Sequence, residues 1–208
     1  MVAAALGRPP VGSETVLDFP AVVEPLQQVR STILIASLGN IRLAGHYDTY
    51  ARWVPAEHLR LLSETLAASW IPVETAAAHY AACDKLALST DEQVRMGRKT
   101  VERVGRSMAG AALRLAREAG ATPWVFFPHI QRLWDRAYGA GGIAVYKLGP
   151  KDARLDLVRF SLCESPFYRN ALRGWVWSLT ELFCQKAYFQ EKRPPDGSHS
   201  CSFRAQWV

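Results

Sequence analysis

The last third of the sequence constrains the fold most, because it changes from a strand-like pattern to a helix-like pattern and back. Residues 143–160 form two runs of alternating apolar and polar residues around a Gly-Pro-Lys-Asp turn at residues 149–152, and residues 186–207 form two more around a Pro-Pro-Asp-Gly turn at residues 194–197. A period of two is typical of strands that are covered on one face and wet on the other. Between them, residues 165–185 repeat apolar side chains at helical spacing. The pattern predicts a hairpin, a helix and a second hairpin.

Two local signals predict where helices begin. Ser165 precedes Pro166, which matches an N-cap residue followed by proline at the first helical position. Ser89 and Glu92 have the spacing of a capping box, in which the Ser89 hydroxyl accepts a hydrogen bond from the Glu92 amide and Glu92 reaches back. The helix after Ser89 is predicted to end at Gly120.

Three glycines interrupt this predicted helix, at Gly97, Gly105 and Gly110. Each glycine costs a helix about 1 kcal/mol relative to alanine. We therefore expect another element to pack very close to the helix on its glycine-bearing side.

The front half is predicted to be helical between residues 55 and 139, with its last helix over residues 125–138. Residues 1–30 are rich in proline and lack periodicity, which predicts an extended, partly mobile lead-in. The β-branched run of residues 32–36 is typical of a strand, although a buried helix start has the same pattern. Together these elements predict an α+β fold, in which a helical front half packs on a four-stranded antiparallel sheet and residues 31–208 form one domain.

The composition predicts a protein without a membrane span. No run of about 18 apolar residues exists, and the apolar start is too short, with no basic region before it, for a signal peptide. We therefore expect a cytoplasmic location. Four cysteines form neither a CxxC motif nor a Cys/His cluster, so a zinc site is not predicted and reduced thiols are expected at Cys83, Cys163, Cys184 and Cys201.

The net charge of +6 is compatible with an acidic partner, including nucleic acid. Basic residues follow the outer side of the glycine-bearing helix, where they could contact phosphates. Because glutamates lie at helical spacings among them, a solvated helix face is the alternative interpretation. These basic residues are Arg95, Arg98, Lys99, Arg103, Arg106, Arg114 and Arg117.

The order of helices, hairpin, helix and hairpin resembles the fold shared by haem-nitric-oxide-binding domains, vinyl-reductase-type ligand-binding domains and TRAPP vesicle-tethering subunits. More narrowly, residues 95–208 resemble a myxobacterial paralogous family of unknown function. The resemblance implies either a small hydrophobic ligand held between helices and sheet or a protein-docking surface. It is carried by the glycine-bearing helix at 96–105, the hairpin at 145–150, the helical stretches at 168–174 and 181–184, and the closing strand at 202–207.

One departure from this family pattern concerns haem. The haem-binding branch carries a Tyr-x-Ser-x-Arg motif that holds the haem propionates, and no tyrosine of this chain is followed by that pattern. The resemblance therefore does not favour haem, although haem remains one possible cofactor, and the identity of the ligand stays open.

The aromatic segment around residues 124–138 is the candidate ligand site. His129 lies among aromatic residues and could ligate haem or bind a ligand in an apolar pocket. It has no second ligand or orienting partner in the sequence, so a polar residue at a helix start beside core aromatics is the alternative. The predicted ligand-binding residues are Trp124, Phe127, His129, Trp134 and Tyr138.

The less apolar side of the helix at residues 165–185 is the candidate partner surface. Arg173, Trp177 and Glu181 follow one another four residues apart on this side. An exposed Trp177 with Arg173 stacked on it would be an anchor for a protein partner or a second copy of the chain. The alternative is a helix buried nearly all round.

No constellation of residues indicates an enzyme. His79 and Cys83 are spaced so that they can face the same way on a helix, but on this alanine-rich helix Cys83 is expected to pack rather than react. Neither a nucleophile elbow nor a carboxylate pair is present. The leading hypothesis is a non-enzymatic sensor or binding module for a small apolar or aromatic molecule. The alternatives are a TRAPP-like interaction or dimerisation subunit and a nucleic-acid-binding protein.

Overall fold

The computed structural model describes residues 9–66, 68–105, 118–192, 194 and 199–208, with backbone alone at 100–105. It consists of α-helices and antiparallel sheets, which confirms the predicted α+β fold class. The α-helices are α1 (Ser31–Leu43), α2 (Tyr47–Trp53), α3 (Ala56–Glu64), α4 (Val73–Asp84), α5 (Thr90–Gly105), α6 (Ile130–Ala137) and α7 (Pro166–Glu181). The strands are β1 (Glu14–Leu17), β2 (Gln28–Arg30), β3 (Trp70–Pro72), β4 (Tyr138–Gly139), β5 (Gly142–Gly149), β6 (Asp152–Val158), β7 (Ala187–Lys192) and β8 (Cys201–Trp207).

The main sheet contains both predicted hairpins and one further strand. Its order is β1-β5-β6-β8-β7, with every neighbouring pair antiparallel. The hairpins β5–β6 and β7–β8 flank α7 in the chain, as the sequence pattern predicts. The fifth strand, β1, comes from the predicted lead-in and pairs Glu14 opposite Lys147, where the two side chains form an ion pair of 3.1 Å.

The sequence pattern predicts that the outer face of the sheet is exposed to solvent, and this prediction is wrong at β5, where the outer face is buried. The apolar side chains Phe19 and Val23 of the lead-in cover a small second core on that face, which contains Ala144, Tyr146 and Val158. The sequence pattern did not predict this contact, because Phe19 and Val23 lie in a proline-rich stretch without periodicity. The inner face is buried as predicted, including all the inward residues of β8.

A second, three-stranded sheet of order β3-β2-β4 joins the front helices. Its central strand β2 ends at Arg30, and α1 begins at the next residue. The strand predicted at residues 32–36 is therefore wrong, and the alternative of a buried helix start is correct. The apolar run is buried against neighbouring helices rather than paired in a sheet, with Leu34 and Leu38 in the core.

The close crossing of α5 and α7 confirms the expectation drawn from the glycines. A Cβ atom at Gly97 would lie 2.6 Å from the carbonyl carbon of Ala171 and nearer still to its oxygen. A Cβ at Gly174, on the facing helix, would lie 3.0 Å from the carbonyl carbon of Val94. Real side chains essentially never approach backbone that closely, so only glycine permits this crossing at both positions.

Both predicted helix starts are confirmed. The Ser89 amide donates to the Glu92 carboxylate at 2.8 Å, and the Glu92 amide donates to the Ser89 hydroxyl at 3.4 Å. The Tyr168 amide donates to the Ser165 hydroxyl at 3.1 Å. These bonds satisfy amide groups that the first turn of a helix leaves without partners.

Parts of the predicted glycine-bearing helix and of the second turn lie outside the described residues. These parts are residues 106–117, including Gly110 and the basic residues at 106, 114 and 117, and residues 195–197 of the Pro-Pro-Asp-Gly turn. Gly120 has φ of +91°, the left-handed conformation that a helix-ending glycine adopts.

The helix predicted over residues 125–138 is shorter than expected. Two 3-10 helices, Pro123–Val125 and Phe127–His129, precede α6, which begins only at Ile130. Pro128 explains the difference, because proline lacks an amide donor and its ring clashes with the carbonyl four residues earlier in a helix interior.

The cysteines depart from the expectation of four free thiols. Cys163 and Cys201 form a disulfide that joins the segment after β6 to the start of β8, with their Cα atoms 5.8 Å apart. Cys83 and Cys184 are free and buried. The pairing of β6 with β8 sets Cys201 opposite Leu157, close to the 3-10 helix Ser161–Glu164 that contains Cys163. Sequence spacing does not reveal this proximity of residues 38 positions apart.

A helix-lined cavity as candidate ligand site

A cavity of about 180 Å³ lies between α1, α4, α5, α6 and α7. Its walls are mostly aliphatic and aromatic, and none of the described lining residues is charged. The lining residues are Ile33, Ser37, Asn40, Tyr80, Met96, Gly97, Leu133, Trp134, Ala137, Tyr138, Phe167, Tyr168, Ala171, Leu172 and Trp175.

Two features of the sequence position the walls. Ile33, Ser37 and Asn40 follow one another at i, i+4 and i+7, so one face of α1 presents all three to the cavity. On the opposite side, the glycine-dependent crossing brings Gly97 of α5 against Ala171 of α7. The Asn40 amide donates to the Met96 carbonyl at 3.0 Å, which ties α1 to α5 beside the cavity.

Three tyrosines add hydroxyl groups to the wall. The hydroxyls of Tyr138 and Tyr168 share a hydrogen bond of 3.1 Å, and the rings of Tyr80 and Tyr168 meet edge to face at 4.9 Å. Burial raises the pKa of Tyr138 to about 12 and raises the pKa values of Tyr80 and Tyr168 well above the ordinary value. All three phenols are therefore neutral at physiological pH.

The Trp134 side chain, which contributes to the cavity wall, carries a buried polar atom. It is 2% exposed, and its ring lies 4.3 Å from the ring of Tyr138. Its indole Nε1 has no hydrogen-bond partner among the described residues. Buried N–H groups nearly always have a partner, so this donor is unusual.

A buried hydrogen-bonded chain runs from the cavity to α2. The Ser37 hydroxyl lies 2.9 Å from Nε2 of His79, and the Tyr50 hydroxyl lies 2.8 Å from Nδ1 of the same ring. Burial lowers the pKa of His79 to about 3, so the imidazole is neutral and one of its nitrogens donates while the other accepts. A change in the hydrogen bonding of Ser37 can therefore reverse the tautomer of His79 and reach Tyr50.

His79 and Cys83 face the same way, as their spacing predicts, with Sγ 3.7 Å from Nε2. Both residues are buried, and burial raises the pKa of the Cys83 thiol well above its ordinary value. The thiol is therefore not a thiolate, and nucleophilic catalysis needs the thiolate. The pair packs rather than reacts, as expected.

The structure brings together only part of the predicted ligand site. Trp134 and Tyr138 line the cavity. Trp124 and Phe127 instead pack with Trp207 near the end of the main sheet, where the Trp124 and Trp207 rings are 5.1 Å apart. His129 is exposed at the turn before α6 and does not line the cavity, because the break at the preceding proline turns its side chain out to solvent.

The sequence prediction missed the contribution of α1 and the cavity roles of two tyrosines. The spacing of Ile33, Ser37 and Asn40 was the available signal, but the β-branched run at residues 32–36 obscured it. Tyr80 and Tyr168 are buried, and an apolar pattern that indicates burial does not separate a cavity wall from filled core.

The predicted partner surface is engaged within the chain. Trp177 is half-buried, donates to the Glu181 carboxylate at 2.8 Å and stacks at 6.2 Å on Phe189. The guanidinium that lies over its ring, at 5.0 Å, belongs to Arg98 of α5, and Arg98 also forms an ion pair of 2.6 Å with Glu181. The stacking of Arg173 on Trp177 was therefore wrong, because the close crossing of the two helices delivers Arg98 to this place.

The Arg173 side chain is half-buried too, and its Nε atom is buried without a partner in the described part of the chain. The condition on which a docking role depended, an exposed Trp177, is not met.

Among solved structures, several H-NOX domains are similar to this chain. An unliganded Fe(II) H-NOX mutant from K. algicida matches with a TM-score of 0.61 and 9% identity, over 86% of this chain and 96% of that chain. An H-NOX mutant from T. tengcongensis matches with a TM-score of 0.55 and 10% identity, over 86% and 97% of the two chains. The chain has the H-NOX fold.

A third similar structure is the oxygen complex of an oxygen-binding H-NOX domain related to soluble guanylate cyclases. It matches with a TM-score of 0.52 and 12% identity, over 86% of this chain and 94% of that chain. No family model and no curated protein matches the sequence. At these identities the similarity establishes the fold alone.

Two further findings concern the described residues as a whole. They contain no group of three or more His, Cys, Asp and Glu side chains that could hold a metal ion. None of their helices combines the length and the apolar character that crossing a membrane requires.

Proposed function

We propose that the chain is a non-enzymatic sensor module that holds one small apolar or aromatic molecule in the helix-lined cavity. The observation that carries the proposal is the cavity itself, about 180 Å³ with mostly apolar walls. An engineered apolar cavity of about 150 Å³ holds a benzene molecule, so the space suits a molecule of one or two rings. Pockets for larger, drug-sized ligands span roughly 300–1,000 Å³.

The lining does not fit haem, which the fold family implies. Haem iron takes an axial histidine, a thiolate, a Met/His set or a tyrosinate. The described lining contains neither histidine nor cysteine, and its buried tyrosines are neutral. His79 lies nearby, but both of its nitrogens are hydrogen-bonded. No described lining residue is cationic, so the propionates also lack a partner.

The hydrogen-bonded chain that starts in the cavity supports a sensor role, because it connects the binding site to another helix. Ser37 lines the cavity, and through His79 it reaches Tyr50, which anchors α2 in the core. An acceptor or donor placed at Ser37 therefore has a route to an element outside the cavity.

Native mass spectrometry tests the proposal. The purified protein should carry one small organic molecule or take up one molecule of added acetophenone. A bare mass that acetophenone does not change would refute the proposed function.

The remaining assignments stay predictions. They are membership of the myxobacterial family, a cytoplasmic location, a homodimer, a nucleic-acid partner, and the division into a lead-in of residues 1–30 and a domain of residues 31–208. Strands β1 and β2 attach the lead-in to both sheets.

A further inference from the structure

The hydrogen-bonded chain behind the cavity has a direction, and Tyr50 decides it. The Tyr50 side chain is fully buried, and Nδ1 of His79, at 2.8 Å, is the sole partner of its hydroxyl among the described residues. A buried hydroxyl hydrogen without an acceptor costs free energy. The Tyr50 hydroxyl therefore donates to Nδ1, and the neutral imidazole carries its own hydrogen on Nε2.

This tautomer leaves Ser37 with a hydrogen to donate. Nε2 of His79 donates to the Ser37 hydroxyl oxygen at 2.9 Å, whereas Cys83 Sγ, 3.7 Å from Nε2, is only a weak acceptor. In the described part of the chain the Ser37 hydroxyl has no other partner, unlike that of Ser63, which donates to the Leu59 carbonyl at 2.7 Å. Ser37 is half-buried and lines the cavity, so a molecule held there can accept this hydrogen.

Asn40 adds an acceptor on the same face of α1. Its Nδ2 atom donates to the Met96 carbonyl at 3.0 Å, and because a carbonyl can only accept, this bond fixes which end of the amide faces Met96. No described residue donates to Oδ1. Asn40 is 6% exposed, and Oδ1 is not one of the fully buried atoms without a partner, in contrast to Nε1 of Trp134. Oδ1 therefore keeps accessible surface, and since Asn40 is otherwise buried and lines the cavity, this surface belongs to the cavity wall.

The two groups match the two ends of one functional group. Ser37 and Asn40 lie three positions apart on α1, which places their Cβ atoms about 5–6 Å apart. A carboxamide carries an acceptor and a donor on one carbon, so its oxygen can accept from Ser37 while its N–H donates to Asn40. The described lining contains neither an acid nor a base, and an isolated charge is very costly in such surroundings.

We infer that the cavity recognises a neutral molecule of one or two rings that carries a carboxamide, with the carbonyl oxygen on the Ser37 hydroxyl and the N–H on Asn40 Oδ1. This inference rests on the proposed ligand-binding function and specifies its ligand class. Tyr50 is a positioning residue, because it does not line the cavity and acts on Ser37 through His79.

The test compares four probes by calorimetry on the full chain. Benzamide carries the acceptor and the donor, acetophenone has a methyl group in place of the donor, ethylbenzene has neither, and benzoate is charged. Acetophenone should bind about tenfold more tightly than ethylbenzene, and benzamide about tenfold more tightly than acetophenone. Each step corresponds to about 1.4 kcal/mol. Benzoate should not bind measurably at neutral pH.

Affinity ratios within one variant locate each contact, since a change in the shape of the cavity acts on all neutral probes alike. Ser37→Ala should remove the advantage of acetophenone over ethylbenzene, and Asn40→Ala should remove the advantage of benzamide over acetophenone. The control Ser63→Ala, at an exposed position of α3, should leave both ratios unchanged.

Nuclear magnetic resonance tests the direction of the chain without any change to the cavity. The ¹H–¹⁵N signals of the His79 ring, identified as those that His79→Gln removes, should show the hydrogen on Nε2. A hydrogen on Nδ1 would overturn the donor role of Ser37 and the positioning role of Tyr50. This measurement and the wild-type affinity ratios decide the inference even where a variant fails to fold.

The calorimetric outcomes separate the two claims. If none of the three neutral probes binds, the proposed function fails. If they bind but benzamide is no tighter than acetophenone, or acetophenone no tighter than ethylbenzene, the proposed function survives and the recognition of a carboxamide is overturned. Tight binding of benzoate would overturn the preference for a neutral ligand.

Discussion

Replacing Gly97 by alanine tests the crossing that forms one wall of the cavity. The new Cβ would lie 2.6 Å from the carbonyl carbon of Ala171 and nearer still to its oxygen, and ordinary contacts begin near 3.4 Å, so α7 must move by more than the 0.8 Å that the carbon alone requires. Because the obstacle is backbone, no side-chain rotation relieves it. Overpacking costs about 3 kcal/mol at the upper end of its usual range, while alanine returns about 1 kcal/mol of helix propensity. The net loss should be about 2 kcal/mol or more.

Thermal unfolding followed by circular dichroism measures this loss. For a chain of this size, about 2 kcal/mol lowers the Tm by roughly 4–8 °C. Gly39→Ala is the matched control, since Gly39 lies in α1 and a Cβ there would have nothing within 4 Å. The control should raise stability by up to about 1 kcal/mol. Equal stability of Gly97→Ala and wild type, or a gain in both variants, would refute the reasoning.

Two further predictions concern pH and redox state. His79 has a pKa of about 3 when folded and about 6.5 when unfolded, so the unfolded chain binds the proton first. Above pH 6.5 the titration of His79 does not lower the free energy of unfolding. Below pH 6.5 it lowers this free energy by about 1.4 kcal/mol per pH unit. Urea unfolding at pH 7 and pH 5 should show a loss of about 2 kcal/mol from His79, which His79→Gln removes and the exposed-site control His129→Gln does not. Reducing the Cys163–Cys201 disulfide, which closes a loop of 38 residues, should cost about 4 kcal/mol by loop entropy. Identical urea midpoints with and without reductant would contradict this.

Local chemistry made much of the fold predictable. The capping box at Ser89 and the N-cap at Ser165 are read from a few adjacent residues, and the structure contains the corresponding hydrogen bonds. Gly97 indicated a close crossing because a helix bears its cost only where another element needs the space. The sequence did not identify α7 as the neighbour, since that contact joins residues more than 70 positions apart.

The parts that the sequence did not predict depend on long-range packing. A β-branched run fits a strand or a buried helix, and only its tertiary neighbours decided residues 32–36. Phe19 and Val23 cover one face of the sheet, and no periodic pattern in their segment predicts this contact. The disulfide depends on the pairing of β6 with β8, which brings Cys201 near the segment after β6, and cysteine spacing does not encode this.

The candidate site was predictable only in part for a related reason. Trp124 and Trp134 are both tryptophans in the same aromatic segment, and the sequence does not distinguish them. In the structure Trp124 packs against Trp207 at the end of the sheet, whereas Trp134 lines the cavity. Aromatic composition predicts burial but not whether the space beside the ring is filled. His129 is exposed in the 3-10 helix that precedes α6, a position that its aromatic neighbours in the sequence do not indicate.

The absorption spectrum of the protein, purified from cells supplied with a haem precursor, tests the central claim most directly. This chain has the H-NOX fold, but we propose that its cavity holds a small apolar or aromatic molecule rather than haem. We expect no Soret band from the purified protein and none characteristic of a ligated complex when haemin is added. A stoichiometric Soret band that persists through gel filtration would contradict this expectation.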